Sequence, residues 1–308
     1  MNVPDIPTPK DLINAAFSRA RKKAIQKKKL IDREMLRIDI SANVVLDSIH
    51  NISILDINSL TPFYRELLEA TVDMVKMRGS LNKMRWAKKK ILTVKRITLK
   101  GYTKLKPNLA IQKRKVFYGR LNSVLRGIES DLDFLRDCCK AIANLPVVKE
   151  MPTVIIAGFP NAGKSSLLKA ITGSEPDIQP YPFTTKGLMM GYTKIGYHKI
   201  QFIDTPGLLD RPLERSNNIE KRAIAALRHL SGTIVFVVDP LYNVEGQLKL
   251  LEDVKSELKS KVIIAINKCD LEFDKEEVVA KVSGMMISAK EGTGIDALIA
   301  AIGESIKQ

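Results

Sequence analysis

Two hydrophobic rhythms divide this chain. Between residues 8 and 145 apolar positions recur every three or four residues. Ile31, Met35, Ile38, Ala42, Val45 and Ile49 make one stripe, and Phe63, Leu67, Ala70, Met74, Met77, Leu81 and Met84 a second. Leu121, Val124, Ile128, Leu132, Leu135, Cys139 and Ile142 make a third. Narrow stripes of this period are the seams of packed helices, so they predict an all-α, up-and-down bundle of about four helices with methionine as core filler. Pro107 interrupts the pattern, and Pro146 and Pro152 bracket a short linker. Past that linker the rhythm becomes short continuous apolar runs rich in β-branched residues, at 153–157, 200–203, 233–238, 262–266 and, more briefly, 284–287. Helical stretches separate them at 219–230, 247–258 and 275–281, with 295–306 last. Strand and helix in alternation predict an α/β fold, a mostly parallel sheet with helices on both faces. The expected organisation is therefore a helical bundle over 1–149 and an α/β domain over 150–308.

Charge sharpens that division. The net charge of +16 sits wholly in residues 1–150, which hold 31 Lys/Arg against 15 Asp/Glu; residues 151–308 hold 19 of each. Between Met74 and Ile128 there is no acidic residue and there are 17 Lys/Arg, with dense knots at Lys88-Lys-Lys90, Lys95-Arg96 and Lys113-Arg-Lys115. A further knot, Arg21-Lys-Lys-Ala-Ile-Gln-Lys-Lys-Lys29, lies near the start. Solvated helix faces normally balance such charge with carboxylates, so this bundle points to a polyanionic partner, nucleic acid above an anionic membrane. Trp86, Tyr102, Phe117 and Tyr118 lie among the cations and are expected to serve the core rather than stack on bases. No base-reading signature is visible, so binding should be led by backbone and shape and fall steeply with salt. Cys138, Cys139 and Cys269 have neither disulfide nor metal-ligand spacing, which suits a reduced, cytoplasmic protein. No apolar run is long enough to span a bilayer, and neither a signal peptide nor a lipidation motif stands at the ends. No membrane association is expected.

The chemistry lies in the second half. Residues 158–165 read Gly-Phe-Pro-Asn-Ala-Gly-Lys-Ser, a complete G-x-x-x-x-G-K-[ST] phosphate loop between a strand-like run and a helix opening. Its backbone amides at Asn161, Ala162, Gly163, Lys164, Ser165 and Ser166 can cradle phosphates, helped by the helix dipole. Lys164 can reach the β- and γ-phosphates and the Ser165 hydroxyl can hold Mg²⁺. Asp204-Thr-Pro-Gly207 follows a second strand; its carboxylate can serve Mg²⁺ and the Gly207 amide the γ-phosphate. Thr184 and Thr185 lie in the intervening loop, and Thr185 is assigned to close on Mg²⁺ and the γ-phosphate. Asn267-Lys-Cys-Asp270 ends another strand. Asp270 can accept from guanine N1–H and N2–H₂, where adenine offers an acceptor at N1. Ser288-Ala-Lys290, comprising Ser288, Ala289 and Lys290, can back the base with Asn267 and Lys268. Singly, D-x-x-G and Ser-Ala-Lys are weak. Four motifs in order, each at a strand's end, define a GTP/GDP site.

These residues resemble a translation-factor-type GTPase domain of the Obg-like group, over 153–305. Gln179-Pro-Tyr-Pro-Phe-Thr-Thr-Lys186 and Asp204-Thr-Pro-Gly-Leu-Leu-Asp-Arg-Pro-Leu-Glu214 are similar to the nucleolar GTP-binding (Nog) family, as is the opening Pro7-Thr-Pro-Lys-Asp-Leu-Ile-Asn-Ala-Ala-Phe-Ser-Arg-Ala20. The resemblance implies GTP hydrolysis, ribosomal RNA of an assembling large subunit as the bundle's partner, and a compact form without that family's long C-terminal extension. It also implies slow unassisted turnover: Leu208 stands where Ras-type enzymes place a water-orienting glutamine. Arg211, Glu214 and Arg215 are candidate substitutes by proximity only. In related loops the asparagine matching Asn161 coordinates K⁺ beside the phosphates; alternatively Asn161 merely suits the turn. The expected whole is a GTPase, monomeric off the ribosome, whose nucleotide state gates attachment of the bundle to pre-ribosomal RNA. A GTP-stabilised scaffold with incidental hydrolysis and a membrane-associated regulatory GTPase are the alternatives.

Overall fold

Among the described residues six α-helices precede the first strand: α1 (Pro9–Ala24), α2 (Leu30–Ser53), α3 (Pro62–Thr71), α4 (Met74–Leu99), α5 (Pro107–Arg126) and α6 (Glu129–Ala143). In the computed structural model the described residues are 4–55, 60–182, 184, 187–210, 214, 218–230 and 232–307. The chain forms two compact units. One comprises Met1–Ser59 with Val72–Ala143, the other Leu60–Thr71 with Asn144–Gln308. The units thus differ from a simple division at 149/150 by one element, α3.

In the first unit α2 packs on α1, α4 and α5, and α4 also on α6. Thr8 caps α1 by accepting from the Asp11 amide, with Pro9 at the first helical position. Pro107 opens α5 in the same way rather than breaking a helix. Buried Ile38, Ala42, Val45 and Ile49 carry the α2 stripe, while Ile31 and Met35 are only half-buried. The continuous stripe expected from Phe63 to Met84 is two helices. Asp73 accepts a hydrogen bond from the Lys76 amide at 2.9 Å and starts α4 anew, so Met77, Leu81 and Met84 face one core while Phe63 and Leu67 face another.

Two expectations about this unit are corrected. Trp86 is 52% exposed, whereas Tyr102 and Phe117 are buried. The 74–128 cations are also not wholly unbalanced. Lys83 pairs with buried Asp131 at 2.9 Å, Lys95 with Asp39 at 2.6 Å, and Arg114 with buried Glu34. Carboxylates distant in sequence do this work, which a window along the chain cannot see.

The second unit is built on seven strands: β1 (Thr153–Ala157), β2 (Asp177–Gln179), β3 (Leu188–Ile195), β4 (His198–Asp204), β5 (Thr233–Val238), β6 (Lys261–Ile266) and β7 (Met285–Met286). Five further helices accompany them: α7 (Lys164–Thr172), α8 (Asn218–Leu227), α9 (Val244–Leu258), α10 (Lys275–Lys281) and α11 (Ile295–Lys307). Strand order is β2-β3-β4-β1-β5-β6-β7. All neighbours from β4 to β7 pair parallel; β3 pairs antiparallel with β4 and β2 with β3. The antiparallel edge was not anticipated, because β2 is half-solvated and β3 alternates burial instead of running continuously apolar.

Every residue of β1 is buried, and its alternation supplies both faces. Ile155 and Ala157 join a core with Leu67 of α3, Ile224 of α8, Leu250 of α9 and Val278 of α10. Val154 and Ile156 join another with Leu168 of α7 and Leu298 of α11. With β1 central, the loops after β1, β4, β5 and β6 open at the carboxyl edge, where α/β sheets bind ligands.

Candidate nucleotide site

The phosphate loop follows β1 because backbone, not side chain, must fill that space. Gly158 has φ 141°, and a Cβ there would lie 2.3 Å from the Val237 carbonyl oxygen. Gly163 has φ 98°, and its Cβ would lie 2.2 Å from Asn267 Nδ2. Only glycine meets both demands. Asn161 is exposed at φ 62°, a left-handed conformation that asparagine tolerates. Ala162 is buried, Gly163 half-buried and Ser166 exposed at the start of α7. The buried Lys164 ammonium donates to the Gly158 and Phe159 carbonyls, both at 2.8 Å. Closing onto the loop this way keeps a buried cation solvated by carbonyl dipoles.

Ser165 Oγ donates to Asp204 Oδ2 at 2.6 Å. Asp204 is fully buried, and burial pushes its carboxyl above the usual range, against the opposing effects of the Ser165 bond and the Lys164 charge. Its Oδ1 has no hydrogen-bond partner among the described residues, nor does buried Thr205 Oγ1. A buried carboxylate oxygen left over beside a serine hydroxyl is the donor set of a hard, oxygen-preferring cation, so Ser165 and Asp204 fit Mg²⁺. Gly207 is exposed at φ 84°, and its amide donates to Asp210 Oδ2 at 2.9 Å. The adjacent Leu208 is 2% exposed and turned into the core. Thr185, Arg211 and Arg215 lie outside the described residues; Glu214 is exposed and pairs with Lys249. Thr184 accepts from the Gly187 amide and donates to the Tyr181 carbonyl. One neighbour escaped sequence reasoning: Tyr181 is buried and donates to the Ala223 carbonyl of α8 at 2.6 Å.

At the far side Asn267 is buried and bridges three loops. Its Nδ2 donates to the Ala162 carbonyl at 2.8 Å, and its Oδ1 accepts from the Ala289 amide at 2.9 Å. Asp270 is exposed, and buried Ser288 Oγ donates to its Oδ1 at 2.6 Å. That bond, foremost, holds the Asp270 carboxyl below the usual range, with Lys290 and Lys268 contributing. An ionised acceptor-only group aimed into solvent is what guanine's paired donors require. Lys268 takes a left-handed φ of 63° and its ammonium is held by Asp239. Lys290 is exposed beside Glu291 and acts on Asp270 through its charge.

A doubly covered sheet with this phosphate loop, this buried carboxylate and this Asn-Lys-x-Asp run defines a P-loop GTPase. Comparison with known proteins agrees. Residues 153–268 match the family described as 50S ribosome-binding GTPase, and residues 1–149 match the NOG1 N-terminal helical domain. The chain belongs to the Nog1 family. The uncharacterized protein MJ1408 of Methanocaldococcus jannaschii is 36% identical over 90% of this chain and 82% of its own length. Nucleolar GTP-binding protein 1 of Saccharomyces cerevisiae is 33% identical over 78% of this chain but 38% of its own. Of solved structures, the G domain of the T. maritima FeoB iron transporter is 30% identical, covering 51% of this chain and 99% of that one at a TM-score of 0.44. The chain spans between about a third and a half of the nucleolar relatives it matches.

The expected cytoplasmic location is corrected by these names: the eukaryotic relatives are nucleolar proteins. Free cysteines are equally at home in the cytosol and the nucleus, so they never discriminated between the two. Among the described residues no helix is long and apolar enough to cross a membrane.

Proposed function

We propose that this GTPase acts in assembly of the large ribosomal subunit, with its basic helical unit as the RNA-binding part and its nucleotide state as the gate. One observation carries the reading: among the described residues the 74–128 cations remain in large excess after three carboxylate pairings, with Lys89, Lys90, Lys113 and Lys115 among those left over. The names of the matching families support the ribosome as the source of the polyanion. In turnover Lys164 exchanges its carbonyl partners for phosphate oxygens, Ser165 and Asp204 hold Mg²⁺, and Mg²⁺ when bound neutralises charge developing on the phosphates. Asn161 would hold K⁺, which would supply a further positive charge to the phosphates. Thr185 and the Gly207 amide serve the γ-phosphate.

The test is binding of ribosomal RNA at rising salt by the wild type and by a Lys88→Glu, Lys89→Glu, Lys90→Glu variant, with crosslink sequencing to locate the contact. Affinity should fall by about 10³-fold or more between 50 and 200 mM salt, and the variant's slope should be shallower. Unchanged crosslinks in the variant count against the bundle.

A second reading, a GTP-stabilised scaffold with incidental hydrolysis, is favoured by Leu208, which is buried and cannot orient water. Single-turnover GTP decay with and without ribosomal particles separates the two; absence of acceleration supports the scaffold.

A further inference from the structure

The Asn-Lys-x-Asp run puts a lysine two residues from the carboxylate that must read guanine, and the two carry opposite charge. An untethered Lys268 ammonium, with four rotatable bonds, would find Asp270 its nearest attractive partner and compete with the base for it. The structure holds it elsewhere. Its Nζ bonds Asp239 Oδ2, at the end of β5, while Asp270 Oδ1 is engaged by Ser288. Asp239 is itself held with unusual care. Its backbone N–H donates to Gln247 Oε1 at 2.8 Å, its carbonyl accepts from Gln247 Nε2 at 2.8 Å, and its Oδ1 accepts from the Leu241 amide at 3.0 Å. Gln247, wholly buried, also donates to the Tyr242 carbonyl. A fully satisfied buried amide of this kind fixes a loop in one conformation. Here the loop carries a single ionised group, and that group takes Lys268.

We infer that Asp239 is a positioning residue for guanine recognition: it takes the Lys268 ammonium so that Asp270 stays free for the base, and Gln247 holds Asp239 in place. The inference rests on the guanine-nucleotide site described above and adds two residues outside its four motifs. Asp239 acts through Lys268 and needs no contact with nucleotide.

A double-mutant cycle on GDP affinity tests it, using the full chain with Asp239→Asn, Lys268→Met and both together. Asparagine can still accept from Leu241 and differs mainly in charge; Asp239→Ser takes its place if that variant does not fold. Asp239→Asn should weaken GDP about tenfold or more in the wild-type background, and by less than about twofold when Lys268 is already methionine. A merely structural role gives equal losses in both backgrounds, and that result overturns the inference, as does wild-type affinity in Asp239→Asn. Wild-type protein that fails to bind GDP would instead sink the parent reading, so the two failures are distinguishable.

Discussion

Asn267 is the residue whose loss should reach furthest. Truncation to alanine removes two hydrogen bonds, to the Ala162 carbonyl at 2.8 Å and from the Ala289 amide at 2.9 Å. A buried polar group left without its partner costs about 1–3 kcal/mol. Ala162 is fully buried, so its carbonyl belongs near the upper figure; Ala289 is half-buried and its amide can recruit water, so it belongs near the lower. Together the loss is about 3–4 kcal/mol. For a unit of this size each kcal/mol lowers the melting temperature by about 2–4 °C, so the transition should fall by roughly 10 °C. The same two bonds join the phosphate loop to the base-reading loops, so GDP affinity should fall by at least about tenfold even well below that transition. The assay is thermal unfolding with and without GDP, alongside GDP titration. Asn267→Asp is the control. It keeps the acceptor for Ala289 but presents a carboxylate to the Ala162 carbonyl, so it should be no better than alanine. A melting temperature within about 2 °C of wild type for Asn267→Ala refutes the reasoning, because it would mean the loops close without the bridge.

Asp204→Asn should raise the stability of nucleotide-free protein near neutral pH while abolishing the extra stabilisation Mg²⁺ gives with GDP. Burial raises the Asp204 pKa, so its contribution is fully present below the unfolded value of 3.8 and is lost as pH rises through the raised folded value. Melting temperatures of wild type and variant should therefore separate as pH rises through that window and stay apart above it; a separation that does not change across the window refutes it. Asp270→Asn should turn preference from GTP toward xanthosine triphosphate in competition binding; undiminished GTP affinity contradicts the assigned role. Turnover in KCl should exceed turnover in NaCl if Asn161 holds K⁺, and equal rates sink that role.

The four nucleotide motifs were legible because each is a short contiguous run whose conformation dictates its residue types. Gly158 and Gly163 are glycine because Val237 and Asn267 occupy the space a Cβ would take. The apolar runs before them placed Asp204 and the 267–270 run at strand ends: Asp204 is the last residue of β4, and Asn267 follows directly on β6. The partner that holds Lys268 was not legible. Asp239, in the loop after β5, and Gln247, in α9, lie 29 and 21 positions away in the chain, in a stretch whose sequence matches no motif. Tyr181 was quoted only as part of a family signature, and its bond to Ala223 spans 42 positions.

Periodicity, composition and contiguous motifs in the chain determined that it would have a helical half and an α/β half, that the charge would sit in the first, and that GTP would be bound in the second. Those properties depend on neighbours within one turn or one strand, and such neighbours are written consecutively. Tertiary structure alone decided that α3 joins the sheet's core rather than the bundle, that Trp86 faces water, and that Glu34, Asp39 and Asp131 neutralise cations far along the chain. A helical stripe announces that a face will be buried but not against what. Which of two cores receives it depends on contacts between residues distant in sequence, and those exist only once the chain has folded.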